Sequence, residues 1–284
     1  MKKVAIIADT TCDLSIDLKA RYQITTFPLH IHLGEAEYSD GIDISPEDIY
    51  RWSDENKATP KTSGVSPEEA YKVISAGLKE AECVICFCIS EQMSSTYSIL
   101  CSVVQEMEAA DRVFVIDSMN LSTGIGLLVT EAAIMAEQGM EAGEIVQNIK
   151  ALRSRVRASF VVDTLTYLYR GGRCSGLAAL AGSALKLHPM ISVVDGKMQA
   201  GKKYRGRMER VLTEYVHDLK EALITAKPER VFITHSGCEE EIIDKIKNEV
   251  AELGHFAEIL TTRAGSVITS HCGPGTLGVL FIAG

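Results

Sequence analysis

The sequence has 284 residues, a length that predicts about two domains of ordinary size. Hydrophobic residues make up 46% of it and charged residues 24%, which excludes an intrinsically disordered chain. The net charge of −9 argues against a dedicated nucleic-acid binder, and the aromatic content of only 6% shows that the apolar residues are mainly aliphatic, as in an ordinary core.

The first apolar run, at 4–8, ends at Asp9. It is too short for the apolar region of a secretory signal. No later run approaches the ~18 apolar residues of a membrane span. We therefore expect a cytoplasmic protein with no membrane span, for which transient membrane contact stays open.

The first half alternates predicted strands and helices. Apolar runs at 4–8, 83–89 and 112–116 predict strands buried on both faces. Helix signals lie around them, at 13–22, from Ser45, from Ser66 to about 82, and at 95–110, 122–138 and 141–157. This alternation predicts right-handed parallel connections, and hence a Rossmann-like α/β domain over residues 1–155.

One segment interrupts that alternation. Residues 24–33 and 35–44 form two extended runs around Gly34. They are too long for a plain connection, so we predict a β-hairpin inserted at about 24–44 that projects from the first domain.

Eight cysteines raise the question of a metal site, because Cys83 and Cys86 form a CxxC pair. The pair falls in a predicted strand, where Cys83 points away from Cys86 and Cys88. The three cannot share one ion. We expect free cysteines that behave as small hydrophobes, with no metal and no cofactor.

After about residue 155 the pattern changes to a second domain of α+β type, over 156–284. Its predicted elements are a strand at 158–163, helices at 164–170 and 176–187, a hairpin at 191–199 that turns at Asp195-Gly196, a helix at 206–226, a strand at 230–235, a helix at 238–253 and a strand at 256–261. No low-complexity linker precedes it, so we expect the two domains to pack closely.

Polar residues collect where the predicted strands end and helices begin. The clusters are Asp9-Thr10-Thr11, Thr62-Ser63 with Ser66, Ser90 with Ser94-Ser95-Thr96, and Asp117-Ser118 with Ser122-Thr123. In open α/β sheets, ligands bind beyond the carboxyl ends of the strands, where helix N-termini favour an anion. Neutral hydroxyls there predict a site for a carboxylate or phosphate, although ordinary caps and turns use the same residues.

Common enzyme motifs are missing: there is no GxxxxGK[ST], no GxGxxG after a strand and no GxSxG. His271 lies in a glycine-rich stretch that predicts a turn, where ligand contact and turn packing are both open interpretations. Basic residues predict a local positive patch, which fits either a phosphate or acidic partner or a solvated face; they are Arg170, Arg173, Lys202, Lys203, Arg205, Arg207 and Arg210.

Seven segments, in chain order, together resemble the DegV family along nearly the whole chain. They are Ile7-Ala8-Asp9-Thr10-Thr11-Cys12-Asp13-Leu14, Tyr38-Ser39-Asp40-Gly41-Ile42-Asp43-Ile44, Thr62-Ser63-Gly64-Val65-Ser66-Pro67, Met93-Ser94-Ser95-Thr96-Tyr97, Ile116-Asp117-Ser118, Tyr167-Leu168-Tyr169-Arg170-Gly171-Gly172-Arg173 and His271-Cys272-Gly273-Pro274-Gly275. Each motif alone is weak, but all seven in order are specific.

The resemblance implies a DegV-like protein that binds one long-chain fatty acid, of C14–C18, between its domains. It also implies a non-enzymatic role as the lipid-binding subunit of a bacterial fatty acid kinase, whose separate ATP-dependent subunit makes the acyl phosphate. On this pattern Thr62 and Ser94 hold the carboxylate and His271 lies beside them. Secondary positions are Ser63, Ser95, Arg170 and Arg173, and Arg205 falls where kinase contact is expected.

Two departures from the family pattern affect the expected carboxylate site. The usual Ser-Gly-Thr-Tyr is Ser94-Ser95-Thr96-Tyr97 here, so Ser95 either reshapes the pocket or becomes a donor. The usual Thr-Ser-Gln-Pro-Ser is Thr-Ser-Gly-Val-Ser, which places Gly64 before the next helix. Both changes leave Thr62 and Ser94 in place.

Two other functions remain open. One is an enzyme of phosphotransferase or hydrolase type that acts through Ser94 or His271. The other is a sensor of a small polar anion. The missing nucleotide loop argues against an independent kinase, whereas a missing local triad argues less firmly against a hydrolase, because triads assemble in space.

Overall fold

The computed structural model describes residues 2–175, 187–253 and 255–284. Its strands are β1 (Lys2–Asp9), β2 (Thr25–Phe27), β3 (His30–Leu33), β4 (Ala36–Ser39), β5 (Lys61–Ser63), β6 (Ala81–Cys88), β7 (Val113–Asp117), β8 (Val156–Val161), β9 (Cys174–Ser175), β10 (Leu187–Val194), β11 (Lys197–Arg205), β12 (Ala226–His235), β13 (Glu258–Arg263) and β14 (Leu277–Ala283). Its helices are α1 (Ile16–Arg21), α2 (Pro46–Asn56), α3 (Pro67–Glu80), α4 (Thr96–Glu106), α5 (Thr123–Glu137), α6 (Ala142–Arg153), α7 (Thr166–Gly171), α8 (Met208–Asp218), α9 (Lys220–Ile224), α10 (Glu240–Leu253) and α11 (Ser266–Cys272).

A parallel four-stranded sheet, in the order β2-β1-β6-β7, organises the first half. Its central strands are buried on both faces, and helices α3, α4 and α5 pack against them. Ser66 caps α3 with the predicted reciprocal bonds to Glu69. The Rossmann-like α/β prediction is confirmed, and it has a physical basis in continuous aliphatic strands joined by capped helices.

The predicted hairpin at about 24–44 is wrong in its first strand. Residues 25–27 pair in parallel with β1 as an edge of the main sheet. Pro28, which has no backbone N–H, follows directly and ends that strand. The hairpin itself is β3–β4, turning at Gly34, and β5 pairs with β3 to complete a small antiparallel sheet that contacts α11.

A mixed seven-stranded sheet organises the second half, in the order β13-β12-β14-β8-β10-β11-β9. The predicted α+β character is confirmed, since β10, β8, β14 and β12 pair antiparallel whereas β12 pairs with β13 in parallel. Asp195 and Gly196 both have positive φ, as a tight two-residue hairpin turn requires. The predicted helix at 206–226 is interrupted at Leu219, and the one at 176–187 lies outside the described residues, except for Leu187 at the start of β10.

Direct contacts hold the two halves together. The Ser90 hydroxyl after β6 donates to the Gly196 carbonyl (2.7 Å), so the β10–β11 turn docks on the parallel sheet. The hydroxyls of Thr123 and Thr234 are buried and hydrogen-bonded to each other at 2.6 Å.

None of the helices in the described ranges is long and apolar enough to cross a membrane. In the same part of the chain, no cluster of His, Cys, Asp and Glu side chains is arranged to hold a metal ion.

Candidate functional site

A cavity of about 280 Å³ lies where the carboxyl end of the parallel sheet meets α11 and the mixed sheet. Its polar wall holds hydroxyls from β5 and from the N-terminus of α4, together with the imidazole of α11. The predicted site residues on this wall are Thr62, Ser63, Ser94, Ser95, Arg173 and His271. The sequence-predicted residues that line the cavity therefore come from four separate segments of the chain.

Much of the rest of the cavity lining is apolar. It is formed by side chains from both halves, and most of them are aliphatic: Leu29, Ile89, Met93, Leu121, Phe160, Leu168, Met198, Val267, Ile268 and Leu280. Gly278 of β14 also lies here, and a Cβ at that position would meet the Ser159 carbonyl at 2.8 Å. The cavity thus has a largely apolar lining with several polar side chains, which also include Ser122, Thr234, Ser236 and Thr276.

His271 and Thr62 form the central pair of the polar end. His271 Nε2 and Thr62 Oγ1 are hydrogen-bonded at 2.8 Å. The pKa of His271 is lowered to about 4, mainly because the imidazole is buried. The nearby positive charge of Arg173 lowers it further. Its Nδ1 is buried with no hydrogen-bond partner among the described residues. The ring is therefore neutral at pH 7, and such a weakly basic imidazole is a poor general base there.

The predicted glycine-rich turn is present, with positive φ at Gly273 and Gly275, but the placement of His271 within it is wrong. His271 lies in the last turn of α11, and the glycines follow it. Gly171 at the end of α7 packs against the ring, since a Cβ there would meet His271 Nδ1 at 2.5 Å. Close backbone approach thus fixes the ring from one side while Thr62 holds the other.

The hydroxyl of Ser94 is fixed by the start of α4. Ser94 Oγ accepts from the Thr96 backbone N–H (3.3 Å) and lies 2.9 Å from Thr96 Oγ1. Ser95 is the N-cap residue but makes no side-chain capping bond, and it is exposed at the cavity. A Cβ on Gly64 would lie 2.8 Å from Thr96 Oγ1 and 3.2 Å from Ser95 Oγ, so the segment after β5 closes on this helix start.

Two buried carboxyl groups hold the N-terminus of α11 in place. Neither was among the site residues predicted from the sequence. Asp13 Oδ1 accepts from the Gly265 N–H and Asp40 Oδ1 accepts from the Ser266 N–H, both at 2.8 Å. Desolvation raises the pKa of both carboxyls, and it raises that of neighbouring Asp9 to about 6. The helix that carries His271 is thus capped by two residues of the first half of the chain.

Two predicted residues lie away from the cavity wall. The Arg170 guanidinium is exposed and donates to the Lys57 carbonyl at 3.0 Å. Arg205 is exposed at the end of β11. Arg173 precedes β9, which pairs with the opposite end of β11, so roughly 25 Å of strand separates Arg173 from Arg205. The two ends of the predicted positive patch therefore lie apart.

Replacing His271 with Gln is expected to remove an acid-sensitive loss of stability. The folded pKa of about 4 lies below the ordinary 6.5, so the unfolded state binds more protons between these values. The stability contributed by neutral His271 is complete above pH 6.5 and is lost as pH drops towards 4. At pH 5 this group costs about 2 kcal/mol relative to pH 8, a cost that H271Q lacks.

Urea unfolding of the wild type and H271Q at pH 8 and pH 5 measures this difference. The exposed His217→Gln serves as the matched control and should keep the wild-type pH dependence. Identical pH dependence in H271Q and the wild type would contradict a buried neutral His271.

Comparison with known proteins places the whole chain in one group. Residues 3–284 match a family model described as an uncharacterised protein of the DegV family. A DegV domain-containing protein from Caldanaerobacter subterraneus subsp. tengcongensis is 32% identical over 281 residues, covering 99% of each chain.

Solved structures give the same grouping. A structure described as fatty acid binding of a DegV family protein from Thermus thermophilus is 31% identical, with a TM-score of 0.90 over 99% of each chain. A stearic acid-binding protein from Eubacterium ventriosum is 28% identical, with a TM-score of 0.81 over 100% of this chain and 98% of its own. Both share the architecture described above.

Proposed function

The chain belongs to the DegV family, and we propose that it binds one long-chain fatty acid, of C14–C18, between its two domains, residues 1–155 and 156–284. The observation that carries this proposal is a cavity whose lining combines neutral hydroxyls, among them Thr62 and Ser94, with mainly aliphatic apolar side chains. A fatty acid has the matching chemistry, one carboxylate on a long apolar chain.

We place the carboxylate at Thr62 and Ser94, because each of these hydroxyls can accept from its protein partner and still donate its own hydrogen to the ligand. With its proton on Nε2, neutral His271 donates to Thr62 Oγ1, and the Thr62 hydroxyl is free to donate to an anion. When Thr96 donates through both its N–H and its hydroxyl, Ser94 Oγ uses its two lone pairs and keeps its own hydrogen for the ligand. Hydrogen bonds to a charged carboxylate are the strong ones.

Three further residues support this polar end in secondary roles. Ser63 and Arg173 line the cavity beside the proposed carboxylate contacts. Arg173 brings a positive charge close enough to lower the pKa of His271, and the same charge favours a bound carboxylate. Arg170 acts indirectly, because its guanidinium ties the end of α7 to the Lys57 carbonyl.

Most of the binding free energy comes from the acyl chain. At ~0.8 kcal/mol per buried CH₂, a sixteen-carbon chain contributes on the order of 10 kcal/mol before the cost of ordering it. Aliphatic walls suit this task, because a flexible alkyl chain offers no ring for stacking. The high aliphatic and low aromatic content of the sequence fits a lined tunnel as well as a core.

The protein acts in this proposal as a carrier, not as an enzyme. Neutral hydroxyls hold the carboxylate reversibly, and a histidine with a pKa of about 4 adds little base strength at pH 7. In the cytoplasm it presents the carboxylate to a separate ATP-dependent kinase subunit, which forms the acyl phosphate. We place Arg205, exposed at the end of β11, on the surface that the kinase contacts.

Extraction of the purified protein with organic solvent tests the proposal. We expect mass spectrometry to detect a near-stoichiometric C14–C18 fatty acid, because the apolar cavity retains an alkyl chain through purification. A protein that stays free of lipid, even after incubation with a range of fatty acids, would contradict it. Release of a small polar anion instead would favour the sensor hypothesis.

Arg205→Glu tests the partner surface separately. We expect this charge reversal to lower acyl-phosphate formation with the cognate kinase at least about ten-fold, because like charges across an interface are unfavourable. Palmitate affinity should not change, since Arg205 does not line the cavity. Lys220→Glu, another exposed cation, is the control. Equal turnover by R205E and wild type would remove Arg205 from the contact surface.

A further inference from the structure

The exposed hydroxyl of Ser95 makes no hydrogen bond that supports the fold of the described residues. Ser95 is the N-cap residue of α4, yet its side chain makes no capping bond. Among the described residues, no hydrogen bond uses Ser95 Oγ, whereas the Ser95 carbonyl accepts from the Ser98 hydroxyl at 2.8 Å and from the Ile99 N–H at 3.1 Å. Serine at an N-cap ordinarily accepts from the helix backbone, so this free hydroxyl is unusual.

The position of Ser95 places that hydroxyl at the ligand. Ser95 lines the cavity together with Thr62 and Ser94. Its Oγ lies 3.2 Å from where a Cβ on Gly64 would be, so it borders the segment that leaves β5 just after Thr62. Of the hydroxyls of Thr62, Ser63, Ser94 and Ser95 on this wall, that of Ser95 is the one that makes no hydrogen bond within the described residues.

Gly64 makes this arrangement possible. Any side chain at position 64 would begin 2.8 Å from the oxygen of the buried Thr96 side chain and close to Ser95 Oγ. The side chain at 95 and the missing side chain at 64 therefore lie against each other. The Ser95 hydroxyl borders the space that a side chain at position 64 would fill.

We infer that Ser95 is a third hydroxyl donor to the ligand's carboxylate and that it makes the site select an ionised carboxylate over a neutral head group. This inference rests on the proposed fatty-acid function and assigns the head-group specificity of that site. A carboxylate has about four lone-pair sites, and a third donor satisfies one more of them. The positive end of the α4 dipole also favours the negative charge there. A neutral hydroxyl head group gains much less from the same donor.

Ser95→Ala tests the inference when its affinities for palmitate and for hexadecan-1-ol are measured by titration calorimetry. We expect S95A to bind palmitate about ten-fold more weakly and hexadecan-1-ol within about two-fold of wild type. Ser98→Ala, which removes the next exposed hydroxyl of α4, is the control and should change neither affinity. Thermal unfolding of each variant verifies that the fold is retained.

The outcomes separate this inference from the proposed function. If wild type binds palmitate and S95A binds it equally well, or if S95A loses both ligands to the same extent, Ser95 has no head-group role and the fatty-acid function stands. If wild type binds neither long-chain ligand, the proposed function fails and this inference fails with it. A selective loss of palmitate supports both.

Discussion

A variant that carries both Thr62→Ala and Ser94→Ala is expected to keep its fold and lose most of its affinity for palmitate. In the proposed complex each hydroxyl donates one hydrogen bond to a charged carboxylate, and such bonds contribute ~1.5–3 kcal/mol. Losing both weakens binding by a factor on the order of 10² to 10⁴. The fold survives because the two residues are only half-buried and lie at the cavity wall.

The matched control removes two hydroxyls from the same region without touching the cavity. Ser98 and Ser102 are exposed on α4, and neither lines the cavity. The double variant S98A/S102A should bind palmitate as the wild type does. Unchanged palmitate affinity in a thermally stable T62A/S94A variant would show that these two hydroxyls do not hold the carboxylate.

The parallel sheet could be predicted because its signals are local. The aliphatic runs of β1, β6 and β7 are continuous, and Ser66 with Glu69 completes a capping box within four residues of chain. The turn at Asp195-Gly196 is equally local, since those two residues tolerate positive φ. Each of these elements is determined by neighbours in sequence, so the pattern alone predicts it.

The elements that the sequence analysis missed depend on distant partners. Helix α11 has only seven residues, and its N-terminus is capped by Asp13 and Asp40 from the other half of the chain. Strand β5 has three residues, Lys-Thr-Ser, and exists because it pairs with β3. Neither has the hydrophobic period or the local cap that a sequence pattern can reveal.

Only some residues of the polar clusters predicted at the strand ends line the cavity. Ser94, Ser95 and Ser122 line the cavity, as the strand-end argument expects. Asp9 and Thr11 are instead buried: Asp9 accepts from the Thr11 N–H and from the Ile89 N–H. Polar residues at the ends of neighbouring strands thus divide into cavity wall and internal support, and the packing of the second half on the first decides between the two roles.

Removing Glu131 is expected to cause the largest loss of stability of any single substitution considered, about 3–5 kcal/mol for Glu131→Ala. Glu131 is buried on α5, where it accepts from Arg230 (3.0 Å) and Lys227 (2.7 Å) of β12. Arg230 is also buried, and its other carboxylate neighbour, Glu258, is 3.5 Å away. Without Glu131 the Arg230 charge stays in the interior with too little compensation.

Urea unfolding measures this loss, and two further variants identify its cause. Glu141→Ala breaks the exposed pair with Lys3 and should cost at most about 1 kcal/mol, because water already screens that pair. The double variant Glu131→Leu with Arg230→Met should recover much of the stability, since it removes the stranded charge and fills the volume with apolar atoms. If E131A costs no more than E141A, the buried pair does not hold α5 on β12. If E131A is strongly destabilised and the apolar pair restores it, the contact between the two halves that enclose the cavity depends on neutralising Arg230.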